Sequence, residues 1–235
     1  MKNEFEMSMI SELSFFLGLQ IRQLENGIFL SHTKYALNML KKIGLENSKH
    51  AKTPIGTTTK LTRDVSRKPV DPTLFRSMIG SLLYLTASRP DICFSIGLCA
   101  RYQSNPIESH FTAFKRIMKY VASTLEFGLW YMCDTNMSLV GYSDFDWAVS
   151  LDDSKSTSGG CFYLGNNLVS WLSKNQNYIS LSTAKAEYIA AGSCLGFIGV
   201  VIEGLIGSMD LTGNIIVQAS DIVESEVELH IEAIE

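Results

Sequence analysis

The alternation of hydrophobic and polar residues predicts a β-hairpin near the start of the chain. Apolar side chains recur at every second position across 15–22, which is typical of a strand with one buried face. An Asn-Gly pair at 26–27 is expected to supply the positive φ angles of a tight turn, and 28–30 begins the returning strand. Ser31 is placed to cap a helix that Gly44 ends.

Three further helices are predicted between residues 71 and 121, each with a proline near its first turn. In the third, which begins at Asn105-Pro106, Glu108 is placed to complete a capping box. The apolar face of this helix leaves three basic residues on the remaining surface, Lys115, Arg116 and Lys119. A solvated helix face is the expected interpretation, and a surface that binds phosphates is the alternative.

The hydrophobic pattern changes near residue 126 to an alternation of strands and a helix. The expected strands cover 139–142, 157–164, 168–173 and 215–217. A helix is expected to begin near Ser182, between the third and the fourth of these strands. This order of elements predicts an α/β (α+β) arrangement and excludes a simple helical bundle.

Charge is distributed unevenly along the chain. The net charge is −4, but the last basic residue is Lys185, and residues 186–235 carry nine acidic side chains. Residues 1–185 therefore hold 20 basic and 15 acidic side chains, a balance of +5 that is compatible with phosphate contacts.

Cysteine usage and the absence of targeting signals predict an intracellular protein, cytoplasmic or nuclear. The five cysteines are scattered and form no Cys-x-x-Cys pair, which favours reduced thiols over a disulfide framework or a zinc site. No signal sequence is evident, and no apolar stretch approaches the roughly 18 residues of a membrane span.

The candidate chemistry lies in acidic residues at a strand end and on a helix. Asp144 and Asp146 end the 139–142 strand region, and Glu187 falls in the first turns of the later helix. Carboxylates in such positions could hold Mg²⁺ for phosphodiester hydrolysis. Capping or solvated acids are the commoner explanation of such spacing, and spacing alone favours that explanation.

Several segments, in order, resemble the copia-type LTR-retrotransposon Pol polyprotein. Residues 14–21 and 27–31 resemble the last palm hairpin of its reverse transcriptase, and 75–85 with 88–92 are similar to the following thumb and connection. The RNase H domain of the family is matched at 141–148, 155–160 and 181–188. The resemblance runs nearly continuously from about residue 4 to 194.

This resemblance implies two domains. Residues 1–125 would be a partial reverse transcriptase, with the palm hairpin followed by helical thumb and connection segments. Residues 126–235 would form an RNase H-like mixed sheet with its helices, divergent after about 195. A palm hairpin without the rest of its palm would expose apolar surface, so self-association is expected.

The resemblance also assigns candidate catalytic and metal-binding roles. Asp144 and Glu187 would be two members of the RNase H carboxylate set, which binds two Mg²⁺ ions in the active family. Asp221 is the candidate for the third member, and Glu232 follows too closely to fit the fourth. Lys185 replaces an acid that is usual in the family. Six glycines between 192 and 213 are expected to weaken or shorten the helix, since each costs about 1 kcal/mol relative to alanine.

Three functions follow from these observations. The Tyr-x-Asp-Asp motif of the polymerase site is absent, so DNA polymerisation is not expected. A folded, non-catalytic relic of the polyprotein is the favoured hypothesis. A Mg²⁺-dependent ribonuclease H that cuts RNA in RNA–DNA hybrids is the first alternative. The second is a weak nucleic-acid-binding module that uses Lys115, Arg116 and Lys119.

Overall fold

The computed structural model describes residues 14–46, 48–56, 59, 61–63, 68–147 and 152–210. These ranges form two antiparallel sheets and five α-helices, which confirms the expected α+β class. Asp221, Glu232 and the strand expected at 215–217 lie outside the described residues. Within the described part of the chain, no helix has the length and apolar character needed to cross a membrane.

The first sheet joins the amino-terminal hairpin to a strand from the middle of the chain. Its four strands, in spatial order, are β1 (Phe15–Phe16), β2 (Leu19–Leu24), β3 (Gly27–Ser31) and β4 (Leu129–Met132). β4 pairs antiparallel with β3, from Gly27 opposite Met132 to Leu30 opposite Leu129. Residues 129–132 thus complete a sheet whose other three strands lie about 100 positions earlier.

The prediction of one continuous strand over 15–22 is wrong, because a turn at Leu17-Gly18 divides it. Leu17 has φ 46° and Gly18 has φ 80°, and the flanking residues Phe16 and Leu19 pair with each other. Two central residues with positive φ are the pattern of a tight hairpin turn, which glycine adopts without a Cβ clash. The Tyr84 hydroxyl donates a hydrogen bond to the Leu17 carbonyl oxygen and holds this turn.

The second turn is also displaced from its predicted position. Leu24 pairs with Gly27, so Glu25 and Asn26 are the central residues and Gly27 begins β3. Neither Asn26 nor Gly27 has a positive φ. The glycine instead permits close approach of β4, since a Cβ there would collide with the Tyr131 carbonyl oxygen.

The helices of the first half form one packed unit. They are α1 (Thr33–Ile43), α2 (Pro72–Leu85), α3 (Cys93–Ala100), preceded by a 3₁₀ turn at Pro90–Ile92, and α4 (Glu108–Ser123). The three proline-led helices are confirmed. Their shared core contains the fully buried side chains of Phe75, Ile79, Leu82, Ile96, Phe114, Ile117 and Met118.

Helix ends agree only partly with the sequence prediction. α1 ends at Gly44 in the left-handed conformation, as predicted, but Ser31 lies in β3 and the cap position belongs to His32. α4 begins at Glu108 itself, and His110 rather than Glu108 accepts the hydrogen bond from the cap backbone. The expectation for Glu108 is therefore wrong, because this helix begins two residues later than its proline indicates.

The second sheet and its helix follow the predicted order. β5 (Leu139–Asp146), β6 (Thr157–Leu164) and β7 (Asn167–Asn175) are antiparallel neighbours in that order, and α5 covers Thr183–Asp210. The small core between them contains Leu139, Phe162, Cys194 and Ile198.

The expectation that glycines would shorten α5 is wrong, because the helix continues to Asp210. Ala186, Ala190, Cys194 and Ile198 recur every four residues and are buried. Such spacing places these side chains on one helix face, and packing of that face supplies stability that offsets the glycine cost.

Candidate functional site

The α5 face of the second sheet is defined by residues on alternate positions of β5 and β6. A Cβ on Gly141 would lie 3.0 Å from Ile198 Cδ1 and 3.3 Å from Cys194 Sγ, so this position faces α5. The Gln176 side-chain amide ties the same face to the helix start. It donates to Ser158 Oγ at 3.1 Å and to the Ala186 carbonyl oxygen at 2.8 Å.

Asp144 lies on the opposite face of the sheet. Successive residues of a strand point to opposite faces, and β5 pairs with β6 without a register shift from Leu139 to Asp146. Tyr142, Asp144 and Asp146 therefore project away from α5. They border a cavity of about 560 Å³ between this face and the first turn of α3.

The cavity is lined by side chains from both halves of the described chain. Cys93 and Phe94 come from α3, whereas Cys161 and Trp171 come from β6 and β7. Burial raises the pKa of the Cys93 thiol, partly offset by a hydrogen bond from the Ser173 backbone. Burial also raises the pKa of the Cys161 thiol. Both shifts favour the neutral thiol form.

Arg101 links the end of α3 to the start of β6. Its Nη2 donates to Thr157 Oγ1 at 2.6 Å, and Thr157 pairs with Asp146 in the sheet. Burial lowers the pKa of Arg101, while the charges of nearby groups, including Asp153 and Asp146, oppose that shift. Desolvation raises the pKa of Asp146, the negative charge of Asp144 raises it further, and Arg101 lowers it.

The predicted carboxylate set is only partly covered by the described residues. Asp144 Oδ1 accepts a hydrogen bond from the Phe145 backbone N–H at 2.7 Å. Glu187 is half-buried on α5, which packs on the other face of the sheet. Among the described residues, no group of three or more His, Cys, Asp or Glu could hold a metal ion. These residues alone therefore do not fit a two-metal site, and the set Asp144, Glu187 and Asp221 stays a prediction.

The basic residues of α4 have contacts within the protein. The Arg116 guanidinium donates to the Thr53 carbonyl oxygen at 3.2 Å and to Thr53 Oγ1 at 2.9 Å. Lys115 Nζ lies 4.3 Å from the centroid of the Phe111 ring. Arg116 thus holds the segment between α1 and α2 against α4, and phosphate binding by Lys115, Arg116 and Lys119 stays a prediction.

Sequence reasoning missed the residues that connect the two halves of the molecule, Arg101, Cys93 and Phe94. Cys93 and Phe94 lie in an apolar helix whose spacing indicates core residues, and Arg101 comes directly after its last residue. Nothing in that spacing indicates that α3 packs against the second sheet, so no sequence signal identified the cavity.

No family model and no solved structure matches this chain. Several known proteins are similar to it in sequence. The chain is 35% identical over 188 residues to the retrovirus-related Pol polyprotein from transposon RE2 of Arabidopsis thaliana. That match covers 80% of this chain and 13% of the relative. The corresponding polyprotein from transposon TNT 1-94 of Nicotiana tabacum is 31% identical over 204 residues, covering 81% and 15%.

A shorter relative is matched over most of its own length. An uncharacterized mitochondrial protein of Arabidopsis thaliana is 36% identical over 191 residues, which cover 81% of this chain and 79% of that protein. The chain therefore spans a small part of the Pol polyproteins and most of this shorter protein.

Proposed function

Since this chain belongs to the copia-type LTR-retrotransposon Pol polyprotein family, we propose that it is a folded relic of the reverse transcriptase–RNase H region without catalytic turnover. DNA polymerisation is outside this proposal, because the sequence contains no Tyr-x-Asp-Asp motif. The five free cysteines favour a reducing compartment, so the proposal includes an intracellular location, cytoplasmic or nuclear.

The observation that carries the proposal is the position of Asp144 on the sheet face opposite α5, the helix that carries Glu187. Hydrolysis with two metal ions needs carboxylates that share the ions, which lie about 4 Å apart in such sites. Asp144 borders the cavity beside α3, whereas Glu187 belongs to the helix on the other face. This arrangement favours carboxylates that are inherited from an active ancestor and remain idle.

A Mg²⁺-dependent ribonuclease H is the alternative, and one observation favours it. Asp144 and Glu187 both occur within segments that match the family, in the family's order. If Asp221 joined them, three hard oxygen ligands would be available for Mg²⁺. Weak binding of nucleic acid without chemistry is the third candidate, supported by the exposed position of Lys115 and Arg116 on α4.

Cleavage of a labelled RNA–DNA hybrid in Mg²⁺ tests the proposal. The purified chain would be compared with Asp144→Asn and Glu187→Gln, with circular dichroism to establish that all three fold. We expect no cleavage above buffer for any of them, while an added active ribonuclease H cuts the same substrate. Cleavage by the unchanged chain that both substitutions abolish would overturn the relic proposal and establish the ribonuclease.

Binding of the uncut hybrid distinguishes the third candidate, a module that binds nucleic acid without chemistry, from a relic. Fluorescence anisotropy would compare the chain with the double variant Lys115→Gln, Lys119→Gln. A binding module should lose affinity on removal of two phosphate contacts and show a shallower dependence on salt. For a relic we expect the same weak, salt-sensitive signal from both proteins.

A further inference from the structure

The cavity between α3 and the second sheet has the size and walls of a small-molecule site. Its volume of about 560 Å³ falls within the roughly 300–1,000 Å³ that is usual for ligand pockets. Phe94 and Trp171 are half-buried on its two sides, and the ring of Tyr142 is exposed beside them. Aromatic surface is thus available from both the helix and the sheet.

At Gly159 in β6, the wall of the cavity formed by the sheet has no side chain, so free space extends down to the backbone. Gly159 pairs with Asp144, and a Cβ there would meet nothing nearer than the Asp144 carbonyl oxygen, 4.0 Å away. The neighbouring Gly160 differs, because its Cβ would touch Phe162 and Leu172 on the α5 face. The space above Gly159 therefore belongs to the cavity, and a larger side chain would fill it.

The charge of the cavity is negative. Asp144 and Asp146 are its charged lining residues, and no lysine or arginine lines it within the described part of the chain. Arg101 lies beside Asp146 but donates to Thr157 Oγ1, on the border of a second, smaller cavity. Asp144 has no ion pair among the described residues, and the hydrogen bond it accepts comes from its own neighbour, Phe145.

Aromatic walls beside an unpaired carboxylate favour one class of ligand. Aromatic rings attract cations through their π faces, and a planar amidinium or guanidinium can donate two parallel hydrogen bonds to a carboxylate. We propose that this cavity binds a flat organic cation, an aromatic amidinium or guanidinium, between Phe94 and Trp171 with its charged end at Asp144. This site requires neither Glu187 nor a metal ion, so it does not rest on the relic proposal.

Calorimetric titration of the whole chain with benzamidine, and with its neutral analogue benzamide, tests the site. For a ligand of this size we expect a dissociation constant of about 1 mM for benzamidine. Benzamide should bind about tenfold more weakly or undetectably, because it lacks the charge. Equal binding of the two compounds, or no binding of benzamidine, would overturn the proposal.

Two substitutions locate the binding. Asp144→Asn keeps the size of the side chain and removes the charge, so it should weaken benzamidine binding about tenfold. Gly159→Val keeps both carboxylates and fills the free space at this position, and valine suits a strand position. It should abolish binding, with the unfolding midpoint measured to confirm that the variant folds.

A matched control lies on the other side of the sheet. Gly192 is exposed on α5, and an added Cβ there would have nothing within 4 Å, so Gly192→Ala should leave the affinity for benzamidine unchanged. Unaltered binding in both Gly159→Val and Asp144→Asn would mean that benzamidine binds elsewhere, and the assignment to this cavity would fail.

Discussion

At the scale of single residues, His110 shows why a helix cap could not be located from the sequence. The Ile107 backbone N–H donates to His110 Nδ1 at 3.1 Å, and His110 Nε2 lies 3.0 Å from the Thr62 carbonyl oxygen. A neutral ring with its proton on Nε2 satisfies both contacts. The helix start is set by pairing of Ile107 with Pro69, which is a tertiary contact that local spacing cannot reveal.

Burial of His110 and His32 predicts that the protein loses stability in mild acid. Burial lowers the pKa of both side chains from the ordinary value of 6.5. As pH falls below that value, the unfolded chain binds protons more readily than the folded chain, so the free energy of unfolding decreases. The decrease continues until pH reaches the lower folded-state pKa values. Urea midpoints at about pH 7.5 and about pH 5.5 would measure it.

The control for this pH dependence is an exposed histidine. His110→Gln removes one buried titrating ring and should reduce the difference between the two midpoints, whereas His50→Gln should leave it unchanged, since His50 is exposed. An equal pH dependence in all three proteins would show that His110 is not a source of it.

At the scale of elements, the sequence predicted helix and strand identity better than the points where elements turn or end. The proline-led helices and β5 to β7 follow from hydrophobic spacing and proline positions. The turn at Leu17-Gly18 was not predicted, because a leucine at position 17 continues the alternating apolar pattern. The φ angle of Leu17, 46°, is unfavourable for a residue with a Cβ. The glycine content of α5 predicts a shorter helix, because glycine content does not account for the packing of the buried helix face.

The glycines of α5 give a test of whether this helix unfolds with the rest of the protein. Gly192 in α5 and Gly80 in α2 are both exposed, with nothing within 4 Å of an added Cβ. Replacement of either by alanine should raise the free energy of unfolding by about 1 kcal/mol. Urea unfolding would measure both. A gain for Gly80→Ala without one for Gly192→Ala would show that α5 unfolds separately.

Gly141→Ala should lower the free energy of unfolding, whereas the alanine substitutions at Gly80 and Gly192 should raise it. A Cβ there would lie 3.0 Å from Ile198 Cδ1 and 3.3 Å from Phe162, which is closer than an ordinary contact. Overpacking of a core typically costs about 1–3 kcal/mol. A neutral effect at Gly141 would contradict the tight packing of α5 on β5.

At the scale of the whole molecule, the arrangement of the two halves is what the sequence did not disclose. Hydrophobic spacing assigns apolar faces to α3 and to the second sheet, but it does not say which faces meet. The structure packs α3 on the sheet face that carries Asp144, with Arg101 donating to Thr157 across the contact. The candidate carboxylates could therefore be named from the sequence, whereas the sheet face on which Asp144 lies required the fold.

The first sheet predicts self-association of the isolated chain. None of its residues belongs to either buried hydrophobic cluster of the described structure. On the face that carries Leu24, the side chains of Phe15, Leu24 and Trp130 are 49%, 59% and 38% exposed. Apolar side chains exposed on one face of a sheet promote association in water. We expect the apparent mass from light scattering to rise with protein concentration.

A charge placed in that surface should reverse the association. In a symmetric dimer Leu24→Lys would place a charge on both copies, and burial of an unpaired ammonium is unfavourable enough to weaken association by at least about tenfold. Leu181→Lys is the matched control, since Leu181 is 86% exposed and precedes α5, away from the first sheet. If both substitutions weaken association equally, the first sheet is not the contact surface. If neither does, polar contacts rather than this apolar surface hold the copies together.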